Sequence, residues 1–164
     1  EMGLQKHVLT DIDNFVKVGG YDFVIGSQHC VDNKELYYKT YFQGKTMKEI
    51  FRGYYDELLY NITNFNNFDV VGHLDLIRRY SDEAVAFNFH EVMDRVEVIL
   101  RKPHPSILKL YKELGGEIIT YGSDAHVPQK IGANYERTMD ILKEAGFRYI
   151  SYFADRKVEF ERIR

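Results

Sequence analysis

The 164-residue sequence has a single cysteine, Cys30, and no apolar stretch that approaches the roughly 20 residues of a membrane span. One thiol excludes an intramolecular disulfide framework and fits a reducing compartment. No signal peptide is visible, so a cytoplasmic location without a membrane partner is expected. Excess positive charge is also missing: 22 Lys and Arg stand against 25 Asp and Glu, a net charge of -3. That balance offers no surface for a polyanion, and no nucleic-acid partner is expected. What the sequence has is 45% hydrophobic content over a length that suits one globular domain with a sizeable core.

The chain is organised around Tyr121-Gly122-Ser123-Asp124-Ala125-His126, which follows the apolar run Glu117-Ile118-Ile119-Thr120. A β-branched run ending in Gly-Ser, then a carboxylate and an imidazole two residues apart, reads as a strand whose end carries chemistry. Residues i and i+2 of an extended backbone point the same way, so Asp124 and His126 can reach one point. Their donor set suits Zn, Mn or Fe; equally, an Asp and a His after a strand can simply cap the next turn. The pattern recurs upstream. Tyr21 to Gly26 leads into Ser27-Gln28-His29, and Phe68 to Val71 leads into Gly72-His73-Leu74-Asp75. Three of the six histidines thus sit just past a predicted strand. In α/β folds, ligands gather at the carboxyl ends of parallel strands, so His29, His73, Asp75, Asp124 and His126 read as one metal site.

Helical spacing over residues 7–18, stopped by Gly19-Gly20, predicts an α-then-β unit leading into the Tyr21 to Gly26 strand. Val31 to Lys45 lacks clean periodicity and reads as a long loop. Its Tyr37, Tyr38, Tyr41 and Phe42 either line a substrate pocket or pack down as a lid. Thr46-Met47-Lys48-Glu49 has capping-box form and opens a helix with an apolar stripe from Met47 to Ile62. A strand over Asp69 to Gly72 follows. Arg78 and Arg79, close behind His73, are a candidate phosphate clamp, because a guanidinium fork matches phosphate oxygens; the alternative is a solvated surface pair. Cys30 reads as a small packed residue rather than a soft ligand.

Further on, His90 to Leu100 reads as an amphipathic helix or, in part, a strand; His90 and His104 lie outside the strand-end pattern. A helix over Ile107 to Leu114 capped by Ser106, a strand over Glu117 to Gly122, a helix over Asn134 to Ala145 and strands over Phe147 to Phe153 and Val158 to Ile163 complete the expectation.

Gly26-Ser27-Gln28-His29, Gly72-His73-Leu74-Asp75, Pro103-His104-Pro105-Ser106 and Gly122-Ser123-Asp124-Ala125-His126, in this order, resemble the C-terminal two-thirds of the PHP (polymerase and histidinol phosphatase) family, nearest its histidinol-phosphatase branch. The resemblance implies an α/β fold, the family's distorted (β/α)7 barrel, with up to three divalent metals (Zn, Mn or Fe). It implies a hydrolase of phosphate monoesters, most directly L-histidinol phosphate in histidine biosynthesis, in which a metal-bound hydroxide attacks phosphorus. His29, His73, Asp124 and His126 fall on the family's metal ligands, and Glu1 on its bridging glutamate. Asp75 matches the motif as a residue that orients a ligand or closes the loop.

The family pattern opens with a His-x-His strand that does not precede Glu1, and it has a strand where Arg101-Lys102-Pro103 runs straight on. The expectation is therefore one PHP-like domain over residues 1–164 with an incomplete barrel, lacking the His-x-His segment and one internal strand near 101–103. Two classes follow: a metal-dependent phosphatase, histidinol phosphatase or another PHP phosphoesterase, and a truncated remnant that acts as a structural or interaction module. An open barrel would expose strand edges and apolar faces, for which a homodimer, segment swapping or aggregation is the expected outcome.

Overall fold

In a computed structural model of the chain, which describes residues 1–80, 105–113 and 115–164, the candidate site is carried by a sheet of short parallel strands. The first unit, Glu1–Ile99, runs β1 (Met2–Gly3), α1 (Leu9–Gly19), β2 (Ile25–Ser27), β3 (Cys30–Val31), β4 (Lys34–Glu35), α2 (Met47–Asn64) and β5 (Val70–Val71). Short 3-10 turns cover Thr40–Phe42 and Leu76–Tyr80. Strands β1, β2 and β5 are parallel neighbours in that order, with Met2 opposite Gly26 and Gly26 opposite Val71. Parallel strands need helical crossovers, which α1 and α2 supply. The fold is α/β, and among the described residues this sheet stays open at three strands, in keeping with an incomplete barrel.

Two local signals set the helices. Gly20 takes the left-handed conformation at φ 58° and ends α1, because a residue without Cβ adopts it at no steric cost. Thr46 and Glu49 form the capping box of α2: the Thr46 amide donates to Glu49 Oε2 at 2.8 Å, and the Glu49 amide reaches Thr46 Oγ1 at 3.4 Å. Thr46→Ala is expected to cost about 1 kcal/mol, read as a lower unfolding midpoint in urea at unchanged m-value. An unchanged midpoint would show that packing alone fixes the start of α2. Beneath the helices, Leu4, Leu9, Val16, Val24 and Phe65 form one buried cluster.

The region read as a long loop contains the β3–β4 hairpin, Cys30 opposite Glu35, turned by Asp32 and Asn33 at φ 51° and 59°. Positive φ at both central residues is the geometry of a tight two-residue turn, and Asp and Asn tolerate it. Its aromatics divide. Tyr41 is buried and donates its hydroxyl to the Ile50 carbonyl, whereas Tyr37 and Tyr38 are both exposed. Burial pushes the Tyr41 hydroxyl up to about 12.

The second unit, Leu100–Arg164, holds α3 (Pro105–Glu113), a 3-10 turn at Pro128–Lys130, α4 (Tyr135–Glu144), β6 (Tyr149–Ala154) and β7 (Lys157–Arg162). Helix α3 starts at Pro105, a residue suited to a first helical position, so Ser106 lies inside the helix rather than capping it. Strands β6 and β7 form an antiparallel hairpin whose turn residues, Asp155 and Arg156, have φ of 50° and 61°. The expected strand over Glu117 to Gly122 is not a strand. Ile119 is buried and joined to Ser151 through one backbone bond of 2.7 Å and one from its own amide to Ser151 Oγ, and no ladder forms around them among the described residues. The core packs Leu108, Tyr111, Met139, Leu142 and Phe147. The expected helix over His90 to Leu100, with His90 and His104, lies outside the described residues. Among the described residues no helix is long and apolar enough to cross a membrane.

Candidate metal centre

At the sheet, Gly3 is opposite Ser27, and the Gly72 amide donates to the Gly26 carbonyl at 2.9 Å. Gly3, Ser27 and Gly72 thus form a row of small residues. A Cβ on Gly72 would lie 2.3 Å from Ser27 Oγ and 2.8 Å from Ile25 Cγ2, so only glycine fits there. Side chains from three chain segments, each next to one of these strands, converge by this floor. His73 Nε2 lies 2.9 Å from Glu1 Oε1 and 3.1 Å from His29 Nε2, and His29 Nε2 lies 3.5 Å from Glu1 Oε1.

Three electron-pair donors aimed at one point need a proton or a cation between them. Atoms that share one zinc at about 2.0–2.2 Å lie about 3–3.5 Å from one another, which is the size of the three separations here. Two imidazoles and a carboxylate therefore fit Zn, Mn or Fe by both distance and donor type. All three are reachable from solvent, His73 least, at 20% of its side chain.

Electrostatics favour an ionised carboxylate. Burial pushes the Glu1 carboxyl up, but the Ser27 hydroxyl and the nearby His73 and His29 imidazoles outweigh it and hold the group below its ordinary value. Ser27 acts by proximity, since among the described residues its buried hydroxyl has no partner of good hydrogen-bond geometry. Among the described residues His73 Nδ1 is likewise buried without a partner, so the ring's orientation is set by packing and by Nε2.

Asp75 comes two residues after His73 and stands outside this triad. Its carbonyl accepts from the Arg78 amide at 2.9 Å, starting the turn that carries Arg78 and Arg79 into solvent. Burial and the charge of Asp75 both raise the Tyr55 hydroxyl; at Tyr54 burial acts first, then Tyr55 and Asp75. The charge of Asp75 is thus felt by two buried tyrosines.

Asp124 and His126 belong to the second unit and are both exposed. Asp124 holds φ at 48°, a conformation that costs a non-glycine residue energy and that concentrates at functional loops. His126 Nδ1 lies 2.9 Å from the Asp124 carbonyl. A carbonyl only accepts, so Nδ1 is the protonated nitrogen, and in the neutral ring Nε2 keeps the lone pair that a metal ligand needs. Tyr121 ties the loop's start to its far side by donating to the Ala133 carbonyl. A groove in the same unit, lined by Lys112, Glu117, Phe147, Arg148, Tyr149 and Phe160, contains none of the candidate site residues.

Two buried amides, Gln28 and Asn61, stand behind the triad and were not anticipated from the sequence. The available signal was a polar residue seven positions after Tyr54 on the apolar stripe of α2.

Histidinol-phosphatase from Lactococcus lactis is 26% identical over 183 residues, which covers 97% of this chain and 68% of that protein. Probable histidinol-phosphatases from Clostridium acetobutylicum (26% identical, 85% of this chain and 64% of that protein) and Thermotoga maritima (30%, 63% and 52%) are similar as well. The chain therefore spans between about half and two thirds of the length of these relatives. A crystal structure of the Lactococcus lactis histidinol phosphate phosphatase, complexed with zinc, L-histidinol and phosphate, superposes with a TM-score of 0.85 at 27% identity, covering 96% of this chain and 69% of that one. The PHP domain model matches residues 1–103, more than half of the sequence, and the chain belongs to the PHP family.

Proposed function

We propose that the chain is a metal-dependent phosphomonoesterase that acts on L-histidinol phosphate, in the cytoplasm. The observation that carries the reading is the convergence of Glu1, His29 and His73 on one point at separations of 2.9 to 3.5 Å. These three residues hold a divalent cation, and Asp124 and His126 of the second unit are metal ligands as well. Relatives called histidinol-phosphatase, and a similar structure holding zinc, L-histidinol and phosphate, support both the metal and the substrate. The aligned span of 183 positions exceeds the length of this chain, which supports an internal segment present in the relative and missing here.

When bound, the cation supplies Lewis acidity toward the phosphate and lowers the pKa of water. The chain's own groups do the rest. Glu1, held ionised, offsets the cation's charge and fixes its place. Arg78 and Arg79 present forked donors to the phosphoryl oxygens, where charge builds as the ester bond breaks. Asp75 closes the loop between His73 and these arginines.

Metal content by elemental mass spectrometry, paired with phosphate release from L-histidinol phosphate, tests the proposal. The expected result is bound zinc, manganese or iron, with activity lost on chelation and restored by added metal. A chain without metal, or turnover indifferent to the chelator, overturns it. For the arginines, Arg78→Ala or Arg79→Ala should raise KM or lower kcat with metal content retained. Full activity in both variants would leave the pair as solvated surface charges with no part in phosphate binding.

A further inference from the structure

Helix α2 buries two polar side chains, Glu57 and Asn61, four residues apart. Each is tied to a segment beside the metal triad. Asn61, with no exposed surface, donates from Nδ2 to Gln28 Oε1 at 3.0 Å and to the Leu4 carbonyl at 3.4 Å. Gln28, 1% exposed, donates from Nε2 to the Tyr54 carbonyl at 2.9 Å. Glu57 accepts from the Asp32 amide in the β3–β4 turn at 3.0 Å. Leu4 itself donates to the Ser27 carbonyl at 2.7 Å, so β1 and β2 are clasped to each other and both are clasped to α2.

These contacts lie next to the ligands in the chain. Gln28 immediately precedes His29, and Leu4 ends the segment that begins with Glu1. Stability alone does not account for them. Among the described residues Asn61 Oδ1 is buried without a partner, and an apolar pair of similar volume would avoid that cost. A directional tie does what apolar packing cannot: it fixes the register of two strands and keeps each from rotating about its own axis. A small slip between β1 and β2 would move Glu1 Oε1 away from His29 Nε2, the longest of the three separations at 3.5 Å.

We infer that Asn61 and Gln28 form a buried amide relay that positions Glu1 and His29 for metal binding. The inference rests on the metal-centre reading above. Its test is the zinc Kd by competition with a chromophoric chelator, measured beside the thermal midpoint of the zinc-free chain, for Asn61→Leu, Gln28→Met and the double variant. Asn61→Leu leaves Gln28 Oε1 unpaired and should raise the zinc Kd and lower the midpoint. In the double variant the midpoint should recover toward that of the unchanged chain, because the unpaired amide is gone, while zinc affinity stays about 10–100-fold weaker. Affinity that recovers together with the midpoint overturns the relay, as does an unchanged Kd in all three variants. Should Asn61→Leu not fold, Gln28→Met, which keeps the Asn61 bond to Leu4, carries the test: zinc weaker by about 10–100-fold in a variant still folded at the temperature of the titration supports the relay, and unchanged zinc affinity in that folded variant overturns it. An unchanged chain that binds no zinc removes the metal centre itself, a failure distinct from that of the relay.

Discussion

Replacing His73 by alanine is expected to weaken zinc binding and phosphate release together, each by more than about 100-fold, in a chain that stays folded. His73 Nε2 is the atom nearest to both other donors, 2.9 Å from Glu1 Oε1 and 3.1 Å from His29 Nε2. Without it, the remaining pair stands 3.5 Å apart with nothing to draw it together. Loss of a group that merely supports a ligand costs about 10–100-fold in affinity, so loss of a ligand should exceed that. The fold should survive, because His73 lies beyond β5 rather than in it, and its carbonyl, which accepts from the Leu76 amide, is retained. Circular dichroism and a zinc competition titration on the same sample separate the two effects. A folded variant with unchanged zinc affinity would remove His73 from the centre.

The distance over which the sequence signals act explains which parts of this fold could be read. The capping box of α2 lies within four residues, Thr46 to Glu49, so its meaning needs no tertiary partner, and the helix begins at Met47 as expected. The two-residue strands β3 and β4 are too short for alternation to show, and their turn uses Asp32-Asn33 instead of a glycine. That hairpin was hidden inside a loop. At Glu117 to Gly122 the opposite happened: a β-branched run looks like a strand, yet a strand needs a ladder, and among the described residues the backbone of Ile119 bonds to Ser151 without one.

The candidate centre divides in the same way. His29 and His73 each follow an apolar run and a glycine, a local pattern that repeats, and the structure sets their Nε2 atoms 3.1 Å apart across 44 positions of sequence. Glu1 has no such signature. Only the family resemblance pointed to it, and the fold sets its carboxylate beside both imidazoles. Asn61 was invisible for a different reason. A polar residue in an apolar stripe contradicts the pattern from which helix faces are read, so such a residue is passed over unless its burial is taken as the signal.

His126→Ala carries the other large expected effect, because it asks whether the Gly-Ser-Asp-Ala-His loop of the second unit holds metal at all. The geometry of the loop favours a ligand role: Nδ1 donates to the Asp124 carbonyl, which leaves Nε2 as the nitrogen of the neutral ring free to bind a metal. Removing that nitrogen should lower both metal content per chain and phosphate release, the latter by more than about 100-fold, since loss of a ligand weakens the activation of water and the polarisation of phosphate at once. Asp124→Asn makes the companion variant. Asparagine tolerates positive φ as aspartate does, so the turn at φ 48° persists and only the charge is lost. Reduced metal in both variants, with the unfolding midpoint kept in Asp124→Asn, assigns the loop to the metal centre through its donor atoms rather than through its backbone. Unchanged metal stoichiometry in His126→Ala would sink that assignment and leave Glu1, His29 and His73 as a centre complete in the first unit.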